Sequence, residues 1–343
     1  MKILHLAAGN RWTGAAAPAF AEVEALREAG VDAHYAYVGG YKLQAKIGHF
    51  DFAHPIIVKA QNPFSFAESA GAIQRLIEHH GFDVVHAHLT YDHWLARFVA
   101  RGIRIARTFH SARVIRADPL TRLLLARTDL ACVINASLTV PGRVALFTPP
   151  PLDDRQFRAD GADVRERYGV TRDELLIASI GKLSKGRGFE LALQTFAAIH
   201  KQMANARLMI IGHGGHRPAL EALARELAIE PIWAGYHEDD LADHYRAADF
   251  LLFTAKGSDE GHRAVIEAMA CATVPIAAPL PGMNALIDES LIAAAATSDA
   301  LADRLLGSVA SLDRLRTRCI ERAADFEYAR AAARLITAYT KIL

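Results

Sequence analysis

Short apolar runs alternate with amphipathic stretches along almost the whole chain. Residues 2–8 form an apolar run of strand length, followed by the polar, glycine-containing turn Gly9-Asn10-Arg11-Trp12-Thr13-Gly14. Residues 16–29 have helical spacing closed by Gly30, and residues 31–38 are strand-like again. Strand, glycine loop, helix and strand in that order open a doubly wound parallel fold. The same alternation predicts a helix over 65–79, a strand over 83–86 and a helix containing 96–100. A strand over 103–109, a helix over 120–126 and a strand over 130–134 follow. Strands that read as near-continuous apolar runs belong to sheets covered on both faces.

The pattern breaks at Thr148-Pro149-Pro150-Pro151, and a charged stretch, 153–172, follows. The break predicts a domain boundary. A second block then restarts with strands over 175–181, 206–212, 232–235, 250–253 and 274–277. Helices over 189–202, 217–227, 241–247 and 264–270 separate them. Residues 299–343 are helical in pattern, with Phe326, Leu335, Ile336 and Tyr339 at roughly helical spacing. The expected class is α/β: two Rossmann-like domains facing a cleft, residues 1–152 and 153–325, with 326–343 as a terminal helix.

At 343 residues the length agrees with two cores. With 52% hydrophobic and 22% charged residues, the chain has the composition of a compact soluble protein, and a net charge of +1 points to no partner by itself. Cys132, Cys271 and Cys319 are far apart, form no CxxC pair, and lie in or near apolar runs, which suits buried free thiols in a reducing cytoplasm. The start Met1-Lys2-Ile3-Leu4 leads straight into a strand rather than a leader, and no apolar stretch approaches about 18 residues, so no membrane span is expected.

Ligands of open parallel sheets bind beyond the carboxyl ends of strands. The loop Lys182-Leu183-Ser184-Lys185-Gly186-Arg187-Gly188, preceded by Gly181, carries three cations before a helix. Cations and free N–H groups at a helix start suit a diphosphate; a solvated basic turn is the other reading. It is not a Walker A loop, since the GxxxxGK[ST] order is absent. Gly212-His213-Gly214-Gly215-His216 either lets a ligand approach the backbone or makes a tight turn. His213 and His216 have no carboxylate or cysteine nearby in sequence to complete a metal set, and no metal is expected. Asp259 and Glu260 fall at a predicted helix start, where carboxylates are favoured, and Arg263 and Glu267 share one helix face. Glu267 lies in an apolar helix and needs partners, either ribose hydroxyls or Arg263.

In the first half, His86 and His88 follow one strand and His110 another; they are candidates for one cleft edge or ordinary loop histidines. Between Arg97 and Arg127 there are eight arginines and one acid, Asp118. That surplus suits a phosphorylated acceptor, an anionic membrane face or a solvated rim. Nucleic acid is disfavoured, because no aromatic stacking residues are interleaved with it.

These stretches resemble the family-4 retaining glycosyltransferases of the GT-B fold over nearly the whole chain. IASIGKLSKGRGFELALQTF, LMIIGHGG, PIWAGYHEDDLADHYRAADFLLF and SDEGHRAVIEAMACATVPIAAPLPGMNALI carry the resemblance. It implies that Lys182 and Arg187 contact the donor diphosphate, with the family's Arg and Lys exchanged. It implies Glu267 at the ribose, Asp259 (rather than Glu260) at the transferred sugar, and His110 near that sugar. Gly14, Gly181, Gly212, Gly214, Tyr236 and Arg263 complete the donor-contacting set it implies. It also implies a terminal helix, 326–343, returning to the first domain. The family's later Gly-Gly-x-Pro-Glu turn reads Pro281-Gly282-Met283-Asn284-Ala285 here, so a donor-side carboxylate is missing.

The reaction implied is transfer of a sugar from a nucleoside diphosphate, UDP or GDP foremost, to an acceptor hydroxyl with retention, as in cell-surface glycan or glycolipid synthesis. No metal or other cofactor is required. The setting expected is cytoplasmic, possible at the inner membrane face through the Arg97–Arg127 region. A nucleotide-sugar epimerase or another GT-B enzyme, and a catalytically weak nucleotide-sugar-binding protein, are the alternatives. A nicotinamide enzyme is disfavoured by the missing GxGxxG after the first strand.

Overall fold

The computed structural model describes residues 1–9, 12, 15–58, 62–110, 114–254 and 262–343. Two compact units emerge: Met1–Pro151 with Phe326–Leu343, and Leu152–Asp325. Both are parallel α/β sheets of the Rossmann-like kind expected of GT-B proteins.

Unit 1 runs β1 (Lys2–Ala7), α1 (Ala16–Glu28), β2 (Asp32–Val38), α2 (Lys42–Ile47), β3 (Ala53–Ile57), α3 (Pro63–His80), β4 (Val84–Ala87), α4 (Thr90–Val99), β5 (Arg104–Phe109), α5 (Pro119–Leu125), β6 (Leu130–Val133) and β7 (Ala145–Phe147). The sheet order is β3-β2-β1-β4-β5-β6-β7, all parallel. Side chains alternate across it: Ile3 and Ala7 pack with Phe20, Val23 and Leu26 of α1, while Leu4 and Leu6 pack with Ile73 and Ile77 of α3 and Leu95 of α4. The topological switch point lies between β1 and β4, where the winding reverses.

Unit 2 runs β8 (Leu175–Ile180), α6 (Phe189–His200), β9 (Ala206–Ile211), α7 (Arg217–Glu226), β10 (Ile232–Gly235), α8 (Leu241–Ala247), β11 (Phe250–Phe253), α9 (Arg263–Ala270), β12 (Val274–Ala277), α10 (Ser298–Val309) and α11 (Leu312–Ala323). Its order, β10-β9-β8-β11-β12, is also fully parallel, with the switch point between β8 and β11. Asp249 anchors the start of β11: its carboxylate accepts from the backbone N–H of Leu176 at 2.8 Å and pairs with Arg165 at 2.6 Å.

The last helix, α12 (Tyr328–Thr340), belongs to unit 1. Leu335 and Tyr339 enter the core beside α1, and the Tyr328 hydroxyl donates to Glu24 at 3.1 Å. The apolar periodicity does not predict α2, β3 or β7. Pro55 lies in β3, an edge strand, where a missing N–H is tolerated.

Candidate functional site

In unit 2 the loops following β8, β9 and β10 are locked together backbone to backbone. Gly181 N–H donates to Ile211 O at 3.0 Å, Leu183 N–H to His213 O at 2.9 Å and Gly212 N–H to Gly235 O at 2.6 Å. Gly212 has φ 142°, and a Cβ there would strike the carbonyl of Gly181. A Cβ on Gly214 would strike the carbonyl of Leu183. The glycine run therefore serves close approach of two backbones.

Gly188 precedes α6 at φ 83°, with no side chain capping the helix, and a Cβ on it would meet the carbonyl of Thr254. The Thr254 hydroxyl donates to Gly188 O at 2.8 Å, tying the end of β11 to the start of α6. Lys182 and Lys185 are exposed and Arg187 is half-buried in this loop. Fixed backbone, cations and the free N–H groups opening a 12-residue helix are what a diphosphate needs. His216 Nε2–H donates to the Glu190 carboxylate at 2.7 Å, fastening α7 to α6.

Glu267 is buried on α9, and both of its oxygens are engaged: Arg263 Nε lies 3.1 Å from Oε1, and the Tyr245 hydroxyl donates to Oε2 at 3.1 Å. The carboxylate is thus paired with both Arg263 and Tyr245. His262, which opens α9, holds the left-handed conformation (φ 51°) and bonds Pro281 O at 3.1 Å. Tyr236, after β10, is exposed; its ring meets His213 edge-on at 5.0 Å, and its hydroxyl donates to Glu238 at 3.0 Å. Asp259, Glu260 and Gly14 lie outside the described residues.

In unit 1 the strand ends carry a buried histidine chain. His110 Nε2 is 2.8 Å from His88 Nδ1, and His88 Nε2 is 2.9 Å from His5 Nδ1. Glu22 Oε2, on α1, lies 3.8 Å from both His5 Nδ1 and His88 Nε2. Burial pushes the His5 imidazole down to about 3 and the Glu22 carboxyl up to about 8. His88 is held well below the usual range by burial and then by its histidine neighbours. His110 is pushed down to about 3 by burial first and the Arg107 guanidinium second. All four groups are therefore uncharged at neutral pH. Asp92 accepts from Ala8 N–H at 2.8 Å and Leu89 N–H at 2.7 Å, clamping the ends of β1 and β4, and burial lifts its carboxyl to about 7.

His86 does not line an edge. It is fully buried in β4, between the Tyr339 hydroxyl at 2.6 Å and the Thr108 hydroxyl at 2.7 Å. The arginine surplus also shrinks, because Arg107 is buried against Ala87 O and Thr108 O and Arg104 pairs with Asp129 at 3.2 Å. Sequence reading missed His5, Glu22, Asp92 and Arg107; the available signal was a polar residue inside each apolar run.

Among the described residues, three groups bring metal-binding side chains together: His5/Glu22/His86/His88, His34/His54/His80 and His237/Asp240/His244. Each is knit by hydrogen bonds, such as His34 Nδ1 to His54 Nε2 at 2.8 Å and His237 Nδ1 to Asp240 at 2.8 Å. No described helix is long and apolar enough to cross a membrane.

Residues 174–310 match the family described as "Glycosyl transferases group 1", and residues 12–137 match "Glycosyltransferase Family 4". A D-inositol 3-phosphate glycosyltransferase of Segniliparus rotundus is 25% identical over 265 residues, which are 66% of this chain and 58% of that protein. The namesake from Geodermatophilus obscurus is 25% identical over 299 residues, 76% of this chain and 66% of its own. The chain thus spans less than two thirds of these relatives. Among solved structures, a glycosyltransferase of Rickettsia africae superimposes with a TM-score of 0.83 at 15% identity, covering 99% of this chain and 98% of that one. HepE of Anabaena, solved with UDP, gives 0.81 at 13% identity, covering 99% and 100%.

Proposed function

The chain belongs to the group 1, family-4 glycosyltransferases, and from that premise we propose that it moves a sugar from a nucleoside-diphosphate donor to an acceptor hydroxyl with retention at the anomeric carbon. One observation carries the reading: in unit 2 the interlocked loops at the switch point hold Lys182 and Arg187 at the opening of α6. Charge develops on the leaving diphosphate, and preorganised cations and N–H groups stabilise it without a metal. Glu267 takes the ribose hydroxyls, Arg263 fixes that carboxylate, and Gly181, Gly212 and Gly214 shape the floor. Asp259, Tyr236, Gly14 and His110 complete the contacts, His110 at the transferred sugar. The leaving phosphate takes the acceptor proton.

HepE is solved with UDP, which makes a UDP-sugar the first donor to try and a GDP-sugar the second. Calorimetric titration with UDP-, GDP-, ADP- and CMP-sugars tests the reading; binding of none of them sinks it. The relatives' names specify D-inositol 3-phosphate, and an anionic acceptor suits the exposed Arg101, Arg116, Arg122 and Arg127. Exposed Phe98, Val114, Leu120 and Leu123 lie among those arginines, which supports peripheral contact with an anionic inner membrane face, in glycan or glycolipid synthesis. Sedimentation with anionic vesicles tests that contact.

A second reading, a catalytically weak nucleotide-sugar-binding protein, draws on Ala285 standing where the family carries a carboxylate. Product analysis separates the cases: a sugar transferred to an acceptor supports transfer, an isomerised donor an epimerase, and binding without turnover the weak binder.

A further inference from the structure

Three histidines meet at the amino-terminal edge of the unit 1 sheet, at the opposite end of the strands from His88 and His110. His34 is the third residue of β2, His54 the second of β3, and His80 the last of α3. β2 and β3 are parallel with His54 opposite Ala36, so His34 and His54 share one face of the sheet, the face that α3 covers. Gly81, left-handed at φ 68°, closes α3, and the His80 ring packs 4.4 Å from that of His34. Each of the three offers one ring nitrogen, and these atoms lie within 4.8 Å of one another. His34 is buried, while His54 and His80 are partly exposed, so the cluster opens to solvent.

The hydrogen bonds fix which lone pair is presented. The Asp32 carboxylate can only accept, so its 3.0 Å contact takes the hydrogen of His34 Nε2–H. Burial first keeps the His34 imidazole below its usual value, so the ring is neutral at neutral pH. His34 Nδ1 is then a bare lone pair, facing His54 Nε2 at 2.8 Å. A carboxylate on one imidazole nitrogen is the arrangement that orients the other toward a metal. The His80 ring makes no hydrogen bond among the described residues. Nitrogens on one tetrahedral zinc ion stand about 3.3 Å apart, at Zn–N lengths of about 2.0 Å. Small rotations of the part-exposed His54 and His80 rings reach that spacing. Asp32 and Asp51 offset the nearby cations Arg27 and Lys2, and the carbonyl end of α3 adds partial negative charge. The two other groupings offer less. All four ring nitrogens of His237 and His244 already have protein partners, and His5, Glu22, His86 and His88 are buried throughout.

We propose that His34, His54 and His80 bind one divalent ion of the zinc class, with Asp32 as the positioning residue behind His34. The ion clips β2 and β3 to the end of α3, and water fills its fourth position. A set of imidazoles selects zinc, copper or nickel over magnesium and calcium. His54 moves its hydrogen from Nε2 to Nδ1 as it ligates, so binding releases no net proton. The site stands apart from sugar transfer, and its ion takes no part in that reaction.

The untagged full chain, stripped by a chelator and dialysed, is titrated with zinc against a competing chromophoric chelator. One equivalent should bind, and the melting temperature should rise by about 5 °C or more at zinc about 100-fold above Kd. His54→Gln and His80→Gln should each abolish that shift and keep the metal-free melting temperature, since both side chains are partly exposed. Asp32→Asn should weaken binding on the order of tenfold, and His237→Gln should bind as wild type does. Cobalt reads the geometry: wild type should show the intense visible bands of a four-coordinate site, and His80→Gln should lose them. Substoichiometric zinc, zinc bound equally well by the His54 and His80 variants, or an equal shift with magnesium overturns the proposal. Loss of binding in His237→Gln also overturns it, because the ion would then lie in unit 2.

Discussion

The two units share a winding order and a switch point yet furnish them in opposite ways. In unit 1 the switch point is filled with side chains: His5, His88 and Glu22 lie buried and uncharged beneath the strand ends, and one ring nitrogen of His110 is left over. In unit 2 the corresponding place is made of backbone, with glycines pressed against carbonyls, Lys182 and Lys185 exposed and Arg187 half-buried. A neutral, hydrogen-bonded interior suits orientation of an uncharged sugar, because it contributes direction without field. Fixed N–H dipoles and cations suit a diphosphate, because they contribute field where charge appears.

That contrast breaks most severely at Gly212. In Gly212→Val a β-branched side chain must occupy φ 142° and push against the Gly181 carbonyl. The expected loss is about 3 kcal/mol or more, with donor binding abolished. Urea unfolding and calorimetry check it, and a wild-type midpoint would mean that the two loops are free to part. Next comes Lys182→Ala, which removes a cation and little packing, since the side chain is exposed. A fall of about 10²-fold in kcat with an unchanged melting temperature is expected, the usual size for one charge-stabilising group. Glu267→Ala follows: donor affinity drops about 30-fold, in the range of charge-assisted hydrogen bonds, measured by calorimetry. Equal affinity would leave Glu267 as the partner of Arg263 and Tyr245 alone.

How far the chain could be read in advance follows the same division. β1, β8, β9 and β11 were legible because burial on both faces forces unbroken apolar runs. β3 and β7 were not, because an edge strand needs only one neighbour; β3 carries Pro55 and β7 has three half-buried residues. The loop at 181–188 was legible in composition, since cations and glycines cluster locally. What the glycines touch was not, because Gly212 meets Gly181 across two strands. His86 illustrates the limit: its partner Tyr339 is 253 residues away, on a helix whose placement no local pattern specifies. Glu22 shows as a lone acid on an apolar helix face. Its neighbours His5 and His88 become visible only once β1 and β4 are known to be adjacent.

The smallest expected effect concerns that acid and separates buried side chains from surface charge most sharply. Burial lifts the Glu22 carboxyl in the folded state to about 8, from an ordinary value of 4.5. The folded protein therefore holds a proton that the unfolded chain releases, and this contribution to stability is complete below about pH 4.5 and lost as pH rises through 8. The buried histidines act in the opposite sense: their folded values lie below 6.5, so their contribution is restored as pH rises toward 6.5 and is flat above it. Between about pH 6.5 and 8 the slope from Glu22 stands largely apart from theirs, with Asp92 adding to it up to about 7. Wild type should lose on the order of 1 kcal/mol over that interval relative to Glu22→Gln, which keeps the shape and cannot ionise. Urea midpoints of both proteins at several pH values measure the difference. Parallel lines would mean that Glu22 is ionised in the folded state, an anion within 3.8 Å of His5 and His88.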